Sequence, residues 1–257
     1  YALEVSAIFV CIRTIYVPGT QREAHADMIS ILRRIAIVLS GAVLALATVH
    51  AEVPAEHARI MSLPTPTSHW VWVTDISFPN FVPGKANLYN AANGRLLGMI
   101  TMGYGLTALG LPRAGDEIYT VETHYDRVLR GNRVDFVGVY DAKNLKLQQE
   151  IVIPPKKVSS VPMLSFVGLT DDDRYFLIYN FTPAQSVSIV DTRERKFVGE
   201  IETPGCGLVL PAGNRRFLML CSDGSMADVR FSATGTIEQR EVTAPLFDPN
   251  KEFFTEK

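Results

Sequence analysis

The feature that most constrains this chain is an internal repeat of about fifty residues. Leu88–Ile100, Val139–Ile151 and Ile189–Ile201 follow one pattern: an apolar run, an Asn or Asp, a polar turn, and a second apolar run. Asn90, Asp141 and Asp191 take equivalent places, 51 and 50 residues apart. A short Asx side chain accepts a hydrogen bond from backbone two residues on, so each copy predicts strand, Asx turn, strand. A second unit alternates with the first, over Leu109–Val121, Val167–Tyr179 and Leu208–Leu220. Each of these is a short apolar strand, a polar turn, and a strand rich in aromatic and β-branched residues. The two units give four strands per period, the signature of a propeller blade. The expected fold is all-β: a partial β-propeller of three to four blades from His69 to Lys257, with about three and a half counted. Propellers hide their sheet edges by closing into a ring. The pattern is therefore expected to be part of a longer protein or the product of a damaged gene, with a closed four-blade ring as the rival.

The N-terminal quarter reads differently. Residues 1–27 begin at Tyr1 and lead into Pro18-Gly19, and are read as upstream sequence translated in frame. From Met28 the layout is that of a secretory signal: Arg33-Arg34, a continuous apolar stretch Ile35–Ala47, and small residues at Val49-His50-Ala51. Cleavage after Ala51 and export to the periplasm are expected, with residues 52–68 as a linker; the rival is a buried helix over 29–48. No segment reaches the roughly 18 consecutive apolar residues of a membrane span. Net charge is −2, which supplies no basic field for nucleic acid.

Cysteine usage agrees with export. Cys11 falls in the removed part, leaving Cys206 and Cys221. The stretch between them holds a turn signal at Pro211-Ala212-Gly213-Asn214 flanked by apolar runs, so a hairpin stapled by a disulfide is expected. The rival is a metal pair or a reactive thiol. No histidine follows His124 to complete a Cys/His zinc site.

Several stretches then resemble a known family. They are Val73-Thr74-Asp75 with Phe78, Gly94–Ile100, Tyr125-Asp126-Arg127 with Arg130–Asp135, Ile153–Val158, Ser186–Asp191, and Pro204-Gly205-Cys206 through Cys221–Ser225. From His69 onward the chain resembles the front half of the large subunit of the tryptophan tryptophylquinone-dependent amine dehydrogenases, the methylamine and aromatic amine enzymes; residues 122–158 look nearest the aromatic branch. The resemblance implies a seven-bladed propeller, two copies of which pair with two small subunits. It implies that the small subunit holds the quinone, made from its own tryptophans, and the catalytic base. A primary amine becomes aldehyde and ammonia, and electrons pass to a periplasmic copper protein or cytochrome. On this chain it implies no cofactor, metal or catalytic residue, and one residue with a role: Phe78, matching the aromatic that borders the substrate channel. The plain alternative for Phe78 is a loop anchor before Pro79.

The remaining candidates carry little chemistry. Trp70 and Trp72 alternate along a strand and read as core or interface. Glu122 and His124 share one strand face, where an acid/base pair competes with a polar contact at the rim, the favoured reading. Asp171-Asp172-Asp173 lacks the other ligands of a calcium loop and reads as a turn. Gly103-Tyr104-Gly105 is too short for a dinucleotide loop. Arg127, Arg130, Arg133 and Lys156-Lys157 form basic clusters, a solvated blade edge by default and a contact for an acidic partner as the alternative. Two other functional classes stay open: a non-catalytic periplasmic propeller scaffold, and a propeller hydrolase or lactonase with channel-lining metal ligands.

Overall fold

The computed structural model describes residues 61–75, 84–105, 108–159 and 163–252. All belong to Arg59–Lys257, one of two units into which the chain divides. The expected upstream segment, secretory signal and Phe78 lie outside the described residues.

Within them the chain forms four antiparallel sheets, each a meander in chain order. The first has three strands, β1 (Trp70–Thr74), β2 (Lys85–Asn90) and β3 (Arg95–Thr101). The second comprises β4 (Leu109–Gly110), β5 (Glu117–Tyr125), β6 (Arg133–Asp141) and β7 (Leu147–Ile153). The third comprises β8 (Val167–Leu169), β9 (Tyr175–Asn180), β10 (Ser186–Asp191) and β11 (Lys196–Glu202). The fourth comprises β12 (Cys206–Pro211), β13 (Arg216–Cys221), β14 (Met226–Phe231) and β15 (Ile237–Val242). Among the described residues the one other element is a 3-10 turn at Leu164–Phe166, so the partial β-propeller expected from the repeat is what forms.

The Asx turns form where the repeat places them. Asn90 Oδ1 accepts from the Ala92 amide at 3.0 Å, Asp141 Oδ1 from Lys143 at 2.7 Å, and Asp191 Oδ1 from Arg193 at 3.0 Å. A fourth copy was not legible in the sequence. In the fourth sheet Ser232 does the same work, its hydroxyl accepting from the amides of Thr234 and Thr236 at 3.2 Å. Each turn follows a β-bulge: the register shifts at Leu88/Tyr89, Val139/Tyr140, Ile189/Val190 and Arg230/Phe231. A bulge adds local twist, which suits the same step in every sheet.

The middle strands of the second and third sheets bury both faces, because each of these sheets has a neighbour on either side, whereas β2 and β13 alternate. In β9, Tyr175, Leu177 and Tyr179 pack with Phe217, Met219 and Val229 of the fourth sheet. Phe176 and Ile178 turn the other way, against Tyr119, Val121, Val137 and Val139 of the second. Ile118 and Tyr140 join Ala86, Ile100 and Met102 of the first-sheet side. Two-sided burial explains why Tyr175–Tyr179 reads as an unbroken apolar run rather than an alternation. The packing also requires glycine at Gly110, where a Cβ would stand 2.6 Å from the Phe176 ring.

A meander sorts its connections by end. The second-to-third-strand loops and the crossovers between sheets share one end; the Asx turns and the first-to-second-strand turns share the other. On the Asx-turn end the neighbouring sheets are clasped by Arg113, whose amide donates to Asp173 Oδ2 at 2.8 Å and whose guanidinium donates to the Asp171 carbonyl. The acidic triplet is thus a turn with an arginine partner, as read.

Cys206 and Cys221 stand opposite one another in the β12–β13 ladder and are disulfide-bonded. The staple closes the open end of that hairpin, as expected. Closing a loop of this length, a sequence separation of 15, is worth about 3 kcal/mol in the chain-entropy model. The double variant Cys206→Ser/Cys221→Ser is expected to lose about that much stability, read as a lowered urea midpoint with an m-value that rises because the unlinked unfolded chain is less compact.

Candidate functional site

Two buried polar clusters sit on β5 and β6, one on each face, near the crossover end. Their positions follow from strand alternation. Thr120, Glu122 and His124 project toward the first sheet, with Tyr140 across the ladder; Thr123 and Asp135, direct cross-strand partners, project toward the third.

Glu122 is 2% exposed. Its Oε1 accepts from the Thr120 hydroxyl at 2.7 Å and the Tyr140 hydroxyl at 2.8 Å, and its Oε2 lies 3.0 Å from His124 Nε2. The His124 ring stacks on Phe136 with centroids 5.1 Å apart. Burial and the Glu122 carboxylate push the Tyr140 hydroxyl above its ordinary range. Glu122 and His124 do meet, but the carboxylate is interior rather than at the rim, with its acceptor sites taken by neighbours.

Asp135 is fully buried. It receives the Arg133 guanidinium in a two-pronged pair at 2.8 and 2.7 Å, the Thr123 hydroxyl at 2.8 Å, and the Lys157 amide at 3.2 Å. Arg133 also donates to the Lys157 carbonyl at 3.0 Å. This pins Lys157, at the start of the crossover, onto the end of the second sheet. Lys157 itself is buried at 3% exposure, and its ammonium donates to the Ser159 hydroxyl at 3.3 Å. Burial lowers its pKa from 10.5 to about 8, opposed by the negative charges of Asp135 and Glu122. Between pH 8 and 10.5 the unfolded chain therefore holds more protons, and this group's contribution makes stability rise with pH. Its cost is fully present below pH 8 and gone above 10.5. The chain is expected to gain up to about 3 kcal/mol across that window relative to Lys157→Met, measured as the difference between their denaturation curves.

The basic clusters are thus not one solvated edge. Arg133 turns inward to the Asp135 carboxylate, and Lys157 is buried with its ammonium on the Ser159 hydroxyl. Lys156 pairs with Glu200 at 2.8 Å across to the third sheet. Arg127 and Arg130 stay exposed on the β5–β6 loop.

Two apolar cavities flank these clusters. One of about 290 Å³ lies at the Asx-turn end and is lined by Trp70, Trp72, Pro64, Pro66, Leu111 and Ile118 among others. Trp72 packs on the first-sheet core, in keeping with a structural role. The other, about 280 Å³, lies at the crossover end between the third and fourth sheets, with Val158, Met163, Phe166, Tyr179, Phe181, Gly207 and Leu208 around it. Among the described residues no group of three or more His, Cys, Asp or Glu is placed to hold a metal ion, and no helix is long and apolar enough to cross a membrane.

The family model of the methylamine dehydrogenase heavy chain matches residues 68–257, which takes in all four sheets. The chain belongs to the methylamine dehydrogenase heavy-chain family. Curated relatives agree. The heavy chain from Methylobacillus flagellatus is 32% identical over 148 residues, covering 58% of this chain and 37% of that protein. The one from Paracoccus versutus is 29% identical over 182 residues, covering 69% of this chain and 42% of that protein. The chain spans about two fifths of the length of these relatives. Among solved structures, a dihydro-heme d1 dehydrogenase matches at 17% identity over 75% of this chain and 37% of that one, with a TM-score of 0.47. The β-propeller domain of a trilobed protease from Pyrococcus furiosus matches at 12% identity over 74% of this chain and 58% of that one, with a TM-score of 0.45.

Proposed function

We propose that this chain serves as the large subunit of a periplasmic quinone-dependent amine dehydrogenase. The observation that carries the reading is the heavy-chain family match along 68–257. The reaction converts a primary amine and water to an aldehyde and ammonia, releasing two protons and two electrons to a periplasmic copper protein or cytochrome. Tryptophan tryptophylquinone supplies the electron sink and belongs to the small subunit, so no residue of this chain is assigned to hold it. Two large and two small subunits make up the assembly. This chain supplies a rigid wall. Its stacked sheets hold the connecting loops in register, and those loops dock the small subunit and border the substrate channel. Phe78 is proposed as the apolar ring of that channel, where the size of the amine is discriminated at about 1–3 kcal/mol per methylene.

The deciding experiment is a visible spectrum of the complex purified from the source cells by a tag on this chain. A co-purifying small chain with a quinone band that bleaches on adding methylamine or phenethylamine is the expected result, and the better substrate names the branch. A colourless protein with no small chain would leave a scaffold propeller and end the dehydrogenase reading. Export is checked by N-terminal sequencing of the mature chain, which is expected to start at Glu52; a start before Met28 would refute the signal.

A further inference from the structure

The Asx turns of the first and second sheets are built alike up to one residue. Asn93-Gly94 in the first stands where the second has Asn144-Leu145. Both asparagines make the same bond: Asn93 Oδ1 accepts from the Arg95 amide at 3.0 Å, and Asn144 Oδ1 from the Lys146 amide at 2.9 Å. The residue after each is left-handed, Gly94 at φ +70° and Leu145 at φ +56°. Its amide is held alike, by the Asn90 carbonyl at 2.8 Å for Gly94 and by the Asp141 carbonyl at 2.9 Å for Leu145. Backbone shape and hydrogen bonds therefore do not distinguish the two asparagines.

Their surroundings do. Asn93 and Gly94 are exposed, as are Ala91, Ala92 and Arg95, and nothing lies within 4 Å of where a Gly94 Cβ would stand. Leu145 is half-buried instead. It packs on the core shared by the first two sheets, and one of its methyl groups takes the space where a Gly98 Cβ would stand. Beside it the Leu63 amide donates to the Lys143 carbonyl at 2.6 Å. One turn is anchored by its neighbours; the other is a free tip.

That difference matters to asparagine chemistry, which makes this residue thermolabile. The backbone nitrogen of the following residue attacks the side-chain Cγ, a five-membered succinimide closes, and ammonia leaves. Water then opens the ring at one carbonyl or the other, giving aspartate or isoaspartate. The balance is asparagine plus water to acid plus ammonia, with no oxidant or reductant. Closure needs the backbone to leave its resting shape, and it is least hindered where the following residue has no Cβ. Gly94 and its open surroundings meet both needs. Leu145, branched and packed, meets neither.

We propose that Asn93 is a site of spontaneous modification, converting to aspartate and isoaspartate through a succinimide with Gly94, while Asn144 in the matching turn is protected. Each event adds a negative charge at the Asx-turn end. Isoaspartate also routes the main chain through Cβ, which lengthens the turn that joins β2 to β3. The ladder between these strands, already shifted at Leu88/Tyr89, is the first to loosen. The result is an acidic form of the chain that accumulates with age.

The test incubates the purified full chain at mildly alkaline pH and growth temperature. Peptide mapping by mass spectrometry follows the amide-to-acid mass gain at each asparagine, and an isoaspartate-specific methyltransferase counts the isoaspartate. Asn93 is expected to convert at least about tenfold faster than Asn144, which a barrier difference of about 1.4 kcal/mol supplies. Gly94→Leu, which copies the second-sheet turn, is expected to slow conversion at Asn93 about tenfold by the same arithmetic. Asn93→Gln is expected to abolish the isoaspartate signal from this turn, and it keeps the test valid should Gly94→Leu misfold. Equal conversion at Asn93 and Asn144 overturns the proposal. So does an unchanged Asn93 over the period in which a synthetic Ala86–Arg95 peptide converts, or an undiminished methyltransferase signal in Asn93→Gln.

Discussion

Replacing Asp135 by alanine is expected to lower the stability of the chain by about 3–5 kcal/mol, the cost of removing one partner from a buried charge pair. The carboxylate is fully buried and takes four donors from three residues: two from Arg133, one from Thr123 and one from the Lys157 backbone. Alanine leaves Arg133, whose side chain is 23% exposed, without its counter-charge. It leaves the buried Thr123 hydroxyl without its acceptor, and it removes the negative charge that opposes the desolvation of Lys157. The loss should reach further than the local bonds, because these contacts tie Lys157, between the second and third sheets in the chain, to the second sheet. Urea unfolding of the full chain measures it. A double-mutant cycle with Lys157→Met adds a sharper readout: the second substitution should recover part of the loss, since it removes the charge that Asp135 was balancing. Strict additivity would show that the two charges do not interact.

Phe176→Ala is the second large effect, again about 3–5 kcal/mol, because it deletes a fully buried ring and leaves a cavity that β-sheets on both sides cannot close. Phe176 is 0% exposed and sits between the second and third sheets, against Gly110 and the ring of Tyr119 at 5.8 Å. Neighbouring sheets in such a stack are held mainly by contacts of this kind, with no ladder hydrogen bonds crossing between them. The variant should therefore loosen the seam between two sheets before it unfolds either one. Hydrogen exchange should show faster exchange in β5, β6, β9 and β10 than in β13 and β14. Uniform acceleration across all four sheets would mean that the stack unfolds as a single unit.

These effects also separate what is local in this chain from what is not. The Asx turns at Asn90, Asp141 and Asp191 were legible because each rests on one side chain and an amide two residues away, an interaction that needs no tertiary partner. The fourth turn escaped because serine replaces the acid at Ser232. It also falls only 41 residues after Asp191, since the crossover before β12 spans just residues 203–205. The disulfide was legible because Cys206 and Cys221 flank a strong turn signal. The inward turn of Arg133 and the burial of Lys157 were not: basic residues read as a solvated face until Asp135, on the same strand as Arg133, is known to be buried and to receive its guanidinium.

The sequence by itself determined the strands, their period and their turns, since alternation, turn residues and short-range hydrogen bonds are properties of neighbouring residues. It also carried the family, through motifs spread over the last three quarters of the chain. Only the tertiary structure decided which face of each strand meets which neighbour and which charges are buried. Those outcomes depend on residues tens of positions apart being brought within a few ångströms, and no local pattern encodes that distance.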